Sequence, residues 1–185
     1  MEIILMRHGK PTYTGPTKVT SDEMAEWIVQ YNLADTDRDT PPEPSKLIAS
    51  VAAQIISSPL PRTLSSLKAL GREPDIIDDV FREADLPLFQ IPGIKLSPAC
   101  WVFFFRIIWL CGMSHKVEPS GMAKKRAVKA AGILVSHAEQ SKGSVLLMGH
   151  GVMNRLIARE LISLGCKERS RPGRKYWGFG IYKLP

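Results

Sequence analysis

Two short apolar runs with no polar interruption, Glu2–Met6 (EIILM) and Ser144–Met148 (SVLLM), constrain this chain more than any other feature. A strand apolar on both sides has to be covered on both faces, which is the situation of a parallel sheet packed between helices. The segments around them fit that reading. Thr20-x-x-Glu23 is a capping-box pattern that predicts a helix to about Tyr31, with Met24, Trp27, Ile28 and Tyr31 on one face. Asp35–Pro44 is polar and proline-rich, a surface loop. A helix over Ser45–Ala53 and a strand over Gln54–Ser57 follow, and Ser58-Pro59 reads as the start of a helix to Leu70. Asp75–Val80 is a second short strand. An amphipathic helix runs from about Pro119 to Gln140 with Ser120 as its cap, and another covers Val152–Leu164. Lys175–Leu184 alternates as a late, edge-type strand. The expected architecture is α/β, a three-layer α/β/α arrangement with a mostly parallel central sheet.

Length and charge narrow the class. The 185 residues fit one domain without a linker, expected over 1–185 with a hydrophobic insert or lid at about 86–118. Twenty-five Lys and Arg against 18 Asp and Glu give a net charge of +7, which favours anionic partners without choosing among them. Two basic clusters, Lys124, Lys125, Arg126 and Lys129, and Lys167, Arg169, Arg171, Arg174 and Lys175, read as solvated surface. No helix-turn-helix, zinc-finger or RNA-binding signature accompanies them, so a nucleic-acid partner is not expected. Three cysteines without CxxC spacing and an N-terminus without a signal-peptide pattern suggest a cytoplasmic setting. Ala99–Met113 (ACWVFFFRIIWLCGM) is too short to span a bilayer and carries Arg106 at its middle, so stable membrane insertion is not expected. Its plainest reading is a buried helix. A hydrophobic lid or wall, or a homodimer contact, are the alternatives.

The chemistry sits where strands end. One apolar run stops at Arg7-His8-Gly9, the other at Gly149-His150-Gly151, and the third candidate strand leads to Arg62 in the first turn of a helix. In open α/β sheets ligands bind outside the carboxyl ends of the strands, so both imidazoles and both guanidiniums should meet at one rim. Arg forks match phosphate oxygens bidentately, which makes this an anion site.

LMRHG at Leu5–Gly9, SSPLPRTLSS at Ser57–Ser66, FREADLP at Phe81–Pro87 and LMGHGVMNR at Leu147–Arg155 resemble, in this order, the motifs of the histidine phosphatase superfamily, also called phosphoglycerate mutase-like. The resemblance implies that His8 is the nucleophile that becomes phosphorylated. Arg7 and Arg62 would bind the phosphoryl group, His150 would complete the pocket, and Glu83 would act as the proton donor, with Asp79 and Asp85 as nearby substitutes. It implies a metal-independent phosphatase without cofactor, acting on a phosphorylated small molecule or a phosphoprotein. A mutase-type phosphotransferase and a non-catalytic phospholigand-binding protein are the alternatives. Lys10 and Thr14 stand where many relatives carry Glu or Gln and then Asn, so the contacts beside the nucleophile differ. The chain is also shorter than the family's glycolytic mutases, which favours hydrolysis.

Overall fold

The computed structural model describes residues 1–171, 173 and 175–185. Six strands form one sheet: β1 (Glu2–Arg7), β2 (Gln54–Ser57), β3 (Ile76–Ile77), β4 (Ser144–Gly149), β5 (Lys167–Ser170) and β6 (Phe179–Lys183). Their order is β3-β2-β4-β1-β6-β5. The first four run parallel, while β6 is antiparallel to β1 and β5 antiparallel to β6, so only β6 opposes the common direction.

The apolar runs alternate between two cores. Ile3, Leu5, Val145 and Leu147 pack on the side of α5 (Ser120–Ser141) and α6 (Gly151–Ser163). Ile4, Met6, Leu146 and Met148 face the other way, toward α2 (Glu43–Ser50) and α3 (Pro61–Ala69). All eight are essentially solvent-free. Fully burying side chains of this kind is worth roughly 1.5–3 kcal/mol each, so both faces are strongly specified. On the α5 face, Ala123, Ala127, Ala130, Ala131 and Ala138 let the long helix lie close to the sheet.

A third cluster joins α1 (Glu23–Leu33) to α4 (Pro98–Leu110), with Val19, Met24, Trp101 and Phe105 at its centre. The Trp101 indole donates to the Val19 carbonyl at 2.8 Å, and Val19 bridges Leu96 as a single antiparallel pair. Thr20 and Glu23 form the capping box reciprocally.

Several local expectations need correcting. Asp75–Val80 contributes only two strand residues before a 3-10 turn at Asp79–Phe81, because Asp78 caps that turn by accepting from the Val80 N–H. The late strand is not the edge: Lys167–Ser170, too polar to be read as a strand, covers it. Ser120 lies inside α5, whose N-cap is Pro119. Ser58 does not cap α3, which begins at Pro61 after Leu60. The Ala99–Met113 stretch is not simply a buried helix: α4 buries Trp101, Phe105 and Trp109 and leaves its opposite face open. In the first basic cluster, Arg126 is not a solvated side chain, since it pairs with Glu118 at 2.6 Å. Arg174 of the second cluster lies outside the described residues. Among the described residues, no helix is long and apolar enough to cross a membrane.

Candidate active site

Strand register builds the site. Parallel pairing sets Arg7 opposite Gly149 and Ser57 opposite Met148, so the residues after β1, β4 and β2 leave the sheet side by side. The His8 N–H donates to the Gly149 carbonyl and the Ser58 N–H to the Met148 carbonyl, which extends the ladder one step into the loops. The His8 and His150 rings stand edge to face with centroids 5.2 Å apart. Asn154, one turn into α6, locks this junction: its amide donates to the Met6 carbonyl at 3.0 Å and its oxygen accepts from the His150 N–H. Glycine is required at two points. A Cβ at Gly9 would run into the Trp177 ring, and one at Gly149 into the Asn154 amide.

The His8 tautomer follows from its partner. Its Nδ1 lies 2.7 Å from the Gly9 carbonyl, which can only accept, so Nδ1 carries the proton. Burial first, then the charges of Arg62 and Arg7, hold this imidazole well below its ordinary pKa, opposed only by the Gly9 bond. Nε2 is therefore an unprotonated nitrogen with a free lone pair. His150 is likewise kept neutral, chiefly by complete burial and then by Arg62. Its Nε2 meets the Ser58 hydroxyl at 2.8 Å, while its Nδ1 is buried with no hydrogen-bond partner among the described residues.

Arg62 is 2% exposed, and a cation so buried needs compensation. It receives some from below: Nη1 donates to Asn32 Oδ1 at 3.1 Å and the guanidinium lies 5.1 Å from the Tyr31 ring centroid. Its Nε has no partner among the described residues. Arg7 lies 4.3 Å from the centroid of Tyr176, and the Tyr176 hydroxyl interacts with that of Tyr31, which burial and this contact push upward in pKa. The two tyrosines thus pack against the two guanidiniums. The buried Arg62 guanidinium with its unpartnered Nε, beside the second cation of Arg7, suits an oxyanion with several acceptor oxygens.

Glu83 enters from the third side. Its carboxylate accepts from the Val152 and Met153 N–H groups at the start of α6, with the shortest contact 2.9 Å, and acts electrostatically on Arg62. Asp85 is exposed, and exposed Asp79 is 3.9 Å from Arg82. The backbone around Glu83 is gripped from both sides. Arg126 donates to the carbonyls of Val80 and Arg82, and Arg106 to those of Ala84 and Asp85, at 2.7–3.0 Å. The Lys10 side chain is exposed and its N–H is held by Asp39. Among the described residues, no group of three or more His, Cys, Asp or Glu could hold a metal ion.

The structure thus brings His8, His150, Arg7 and Arg62 to one rim, with Glu83 beside it. Sequence reasoning missed Ser58, Asn154, Tyr31, Asn32 and Tyr176. Asn154 had a signal, since position four after the strand-ending histidine faces back along the first helical turn.

No family model matches the sequence, and no curated protein matches it. Solved structures do. The Rv3214 protein of Mycobacterium tuberculosis superposes over 100% of this chain and 91% of its own length, at 19% identity and a TM-score of 0.59. An Entamoeba histolytica phosphoserine phosphatase, solved with 3-phosphoglyceric acid, matches 97% of this chain and 89% of its own, at 14% identity and 0.54. A mycobacterial glucosyl-3-phosphoglycerate phosphatase, solved with VO3, matches 88% and 82%, at 17% identity and 0.53. These likenesses show the fold: the chain has the phosphoglycerate mutase-like α/β architecture of these structures.

Proposed function

We propose that this chain is a phosphomonoester hydrolase of the histidine phosphatase type, working through a phosphohistidine on His8. The observation that carries the reading is the His8 ring. A buried neutral imidazole, its Nδ1–H fixed on the Gly9 carbonyl, offers Nε2 beside a buried guanidinium. The phosphatase names of the structural neighbours support the same reaction class.

In the first half-reaction, Nε2 of His8 forms a bond to phosphorus as the bond to the leaving oxygen breaks. Arg7, Arg62 and His150 neutralise and orient the equatorial oxygens. Glu83 gives its proton to the departing alkoxide. In the second, water attacks the phosphohistidine, Glu83 takes the water's proton, the P–N bond breaks, and inorganic phosphate leaves a neutral His8. Two guanidiniums supply the positive charge that a phosphoryl dianion needs, so the reaction is expected to proceed with chelator present. α4 holds the Glu83 segment through Arg106.

Rapid quench with a chromogenic aryl phosphate, followed by intact-protein mass measurement, tests this. One acid-labile phosphoryl group on wild type and none on His8→Ala is expected. Stoichiometric binding without release would indicate a phospholigand binder, and conversion of 3-phosphoglycerate to its isomer a mutase. Turnover that survives loss of His8 would end the proposal.

A further inference from the structure

The net positive charge of this chain is concentrated around one exposed apolar helix. Residues 94–130 hold seven Lys and Arg against one acid, Glu118, and so account for six of the seven net charges. α4 lies within this stretch. Its buried face carries Trp101, Phe105 and Trp109, while Phe103 (70% exposed), Ile107 (45%) and Leu110 (58%) recur at i, i+4 and i+7 on the opposite side. Phe104, 42% exposed, widens the stripe. Single exposed apolar residues are ordinary, but a continuous stripe along a helix about 20 Å long is a surface built for contact.

The cations lie on the segments that adjoin α4 in the chain. Trp109 shares its core cluster with Ala123 and Ala127 and donates to the Glu118 carbonyl at 2.8 Å, so the end of α4 abuts the start of α5. Lys124, Lys125 and Lys129 are exposed there, as are Lys95 and Lys116 at the two ends of the α4 segment. Lys95 is within electrostatic reach of Glu23, and Lys116 shares a cleft with Asp22, so the three α5 lysines carry most of the unbalanced charge.

We infer that the α4 face, with the exposed lysines of the abutting α5, docks reversibly on an anionic lipid surface. Aromatic and branched side chains would enter the headgroup–acyl boundary while lysines meet lipid phosphates and carboxylates. A second copy of the chain is the poorer occupant, because a two-fold contact sets the same patch against itself and brings lysines together. The inference does not depend on the proposed reaction.

Co-sedimentation with phosphatidylcholine vesicles containing about one third phosphatidylserine is the test. Binding is expected, and should weaken at least about ten-fold with phosphatidylcholine alone or in high salt. Phe103→Glu with Leu110→Glu should abolish it without changing Tm, since both side chains are exposed. Replacing Lys124, Lys125 and Lys129 by Gln should lower the partition coefficient about a hundred-fold, at roughly five-fold per lysine. No binding at low salt, or binding indifferent to the two Glu substitutions, would overturn the inference. So would a wild-type dimer that those substitutions render monomeric.

Discussion

Arg106 is the one charge in an otherwise apolar helix, and replacing it with Met separates positioning from packing. Methionine keeps the aliphatic stem and removes two donors, those that hold the Ala84 carbonyl at 2.9 Å and the Asp85 carbonyl at 3.0 Å. Hydrogen bonds to a charged group are worth roughly 1.5–3 kcal/mol each, and water can replace the one to Asp85, so the loss should be about 2–3 kcal/mol. In a chain of this size that lowers Tm by about 4–12 °C. The catalytic effect should be selective. Freed on its C-terminal side, the Glu83 segment keeps its ties to Arg126 and the carboxylate's bonds to α6. A displacement of about 1 Å can cost a hundred-fold in rate. Only substrates that need a proton on the leaving oxygen should feel it. kcat/KM for an alkyl phosphate is therefore expected to fall about 100-fold, and that for p-nitrophenyl phosphate less than about five-fold, measured below the variant's melting range. Arg106→Lys, which keeps the charge but not the fork that reaches both carbonyls, should recover part of the difference. Equal losses on both substrates would reduce Arg106 to a packing residue, and no loss on either would remove Glu83 as proton donor.

Other expectations follow from the same geometry. His8 and His150 both have folded pKa values lowered below 6.5, so in acid the unfolded chain binds protons that the folded one refuses. Their contribution to stability is complete above about pH 6.5 and is lost as pH falls, at up to about 1.4 kcal/mol per pH unit for each histidine, which urea titrations from pH 8 to 5 would register. His8→Gln should flatten that dependence, and an unchanged acid slope would refute it. For the same reason kcat/KM should show no acid limb at the ordinary histidine value. Asn154→Leu removes the tie to β1 at the Met6 carbonyl and the one to the His150 N–H, and should cost about 2–4 kcal/mol by chemical denaturation, with turnover falling in parallel. Tyr176→Leu takes the ring from Arg7 and should weaken inorganic phosphate inhibition about 2- to 30-fold, read from Ki.

Much of the site is legible in the sequence because its chemistry is attached to strand ends. EIILM and SVLLM announce buried strands through uninterrupted apolarity, and Arg7-His8-Gly9 and Gly149-His150-Gly151 mark where each stops. What local pattern cannot state is that β1 and β4, almost 140 residues apart, are neighbours in register. That adjacency, and not either motif, makes the two rings a pair. Ser58 shows the opposite failure. Its place before Pro59 looks like a helix cap, yet the chain turns twice before α3 begins, which frees the hydroxyl for His150. The polar β5 fails for a third reason: pairing with β6 on an outer edge needs only backbone groups, so its side chains need not be apolar.

Arg106 belongs to the same class of misreading. As a charge within ACWVFFFRIIWLCGM it argues against a membrane span, and sequence gives it no further task. In the fold it lies beside the buried stripe, reaches the carbonyls after Glu83, and leaves Phe103, Ile107 and Leu110 pointing outward. One helix thus braces the candidate proton donor on one side and presents an apolar surface on the other. A helix with only one of these tasks would not need both features. Were α4 merely core, its outer stripe would be polar; were it merely a docking surface, a partly buried guanidinium with an unpaired Nε would be a cost with nothing to offset it.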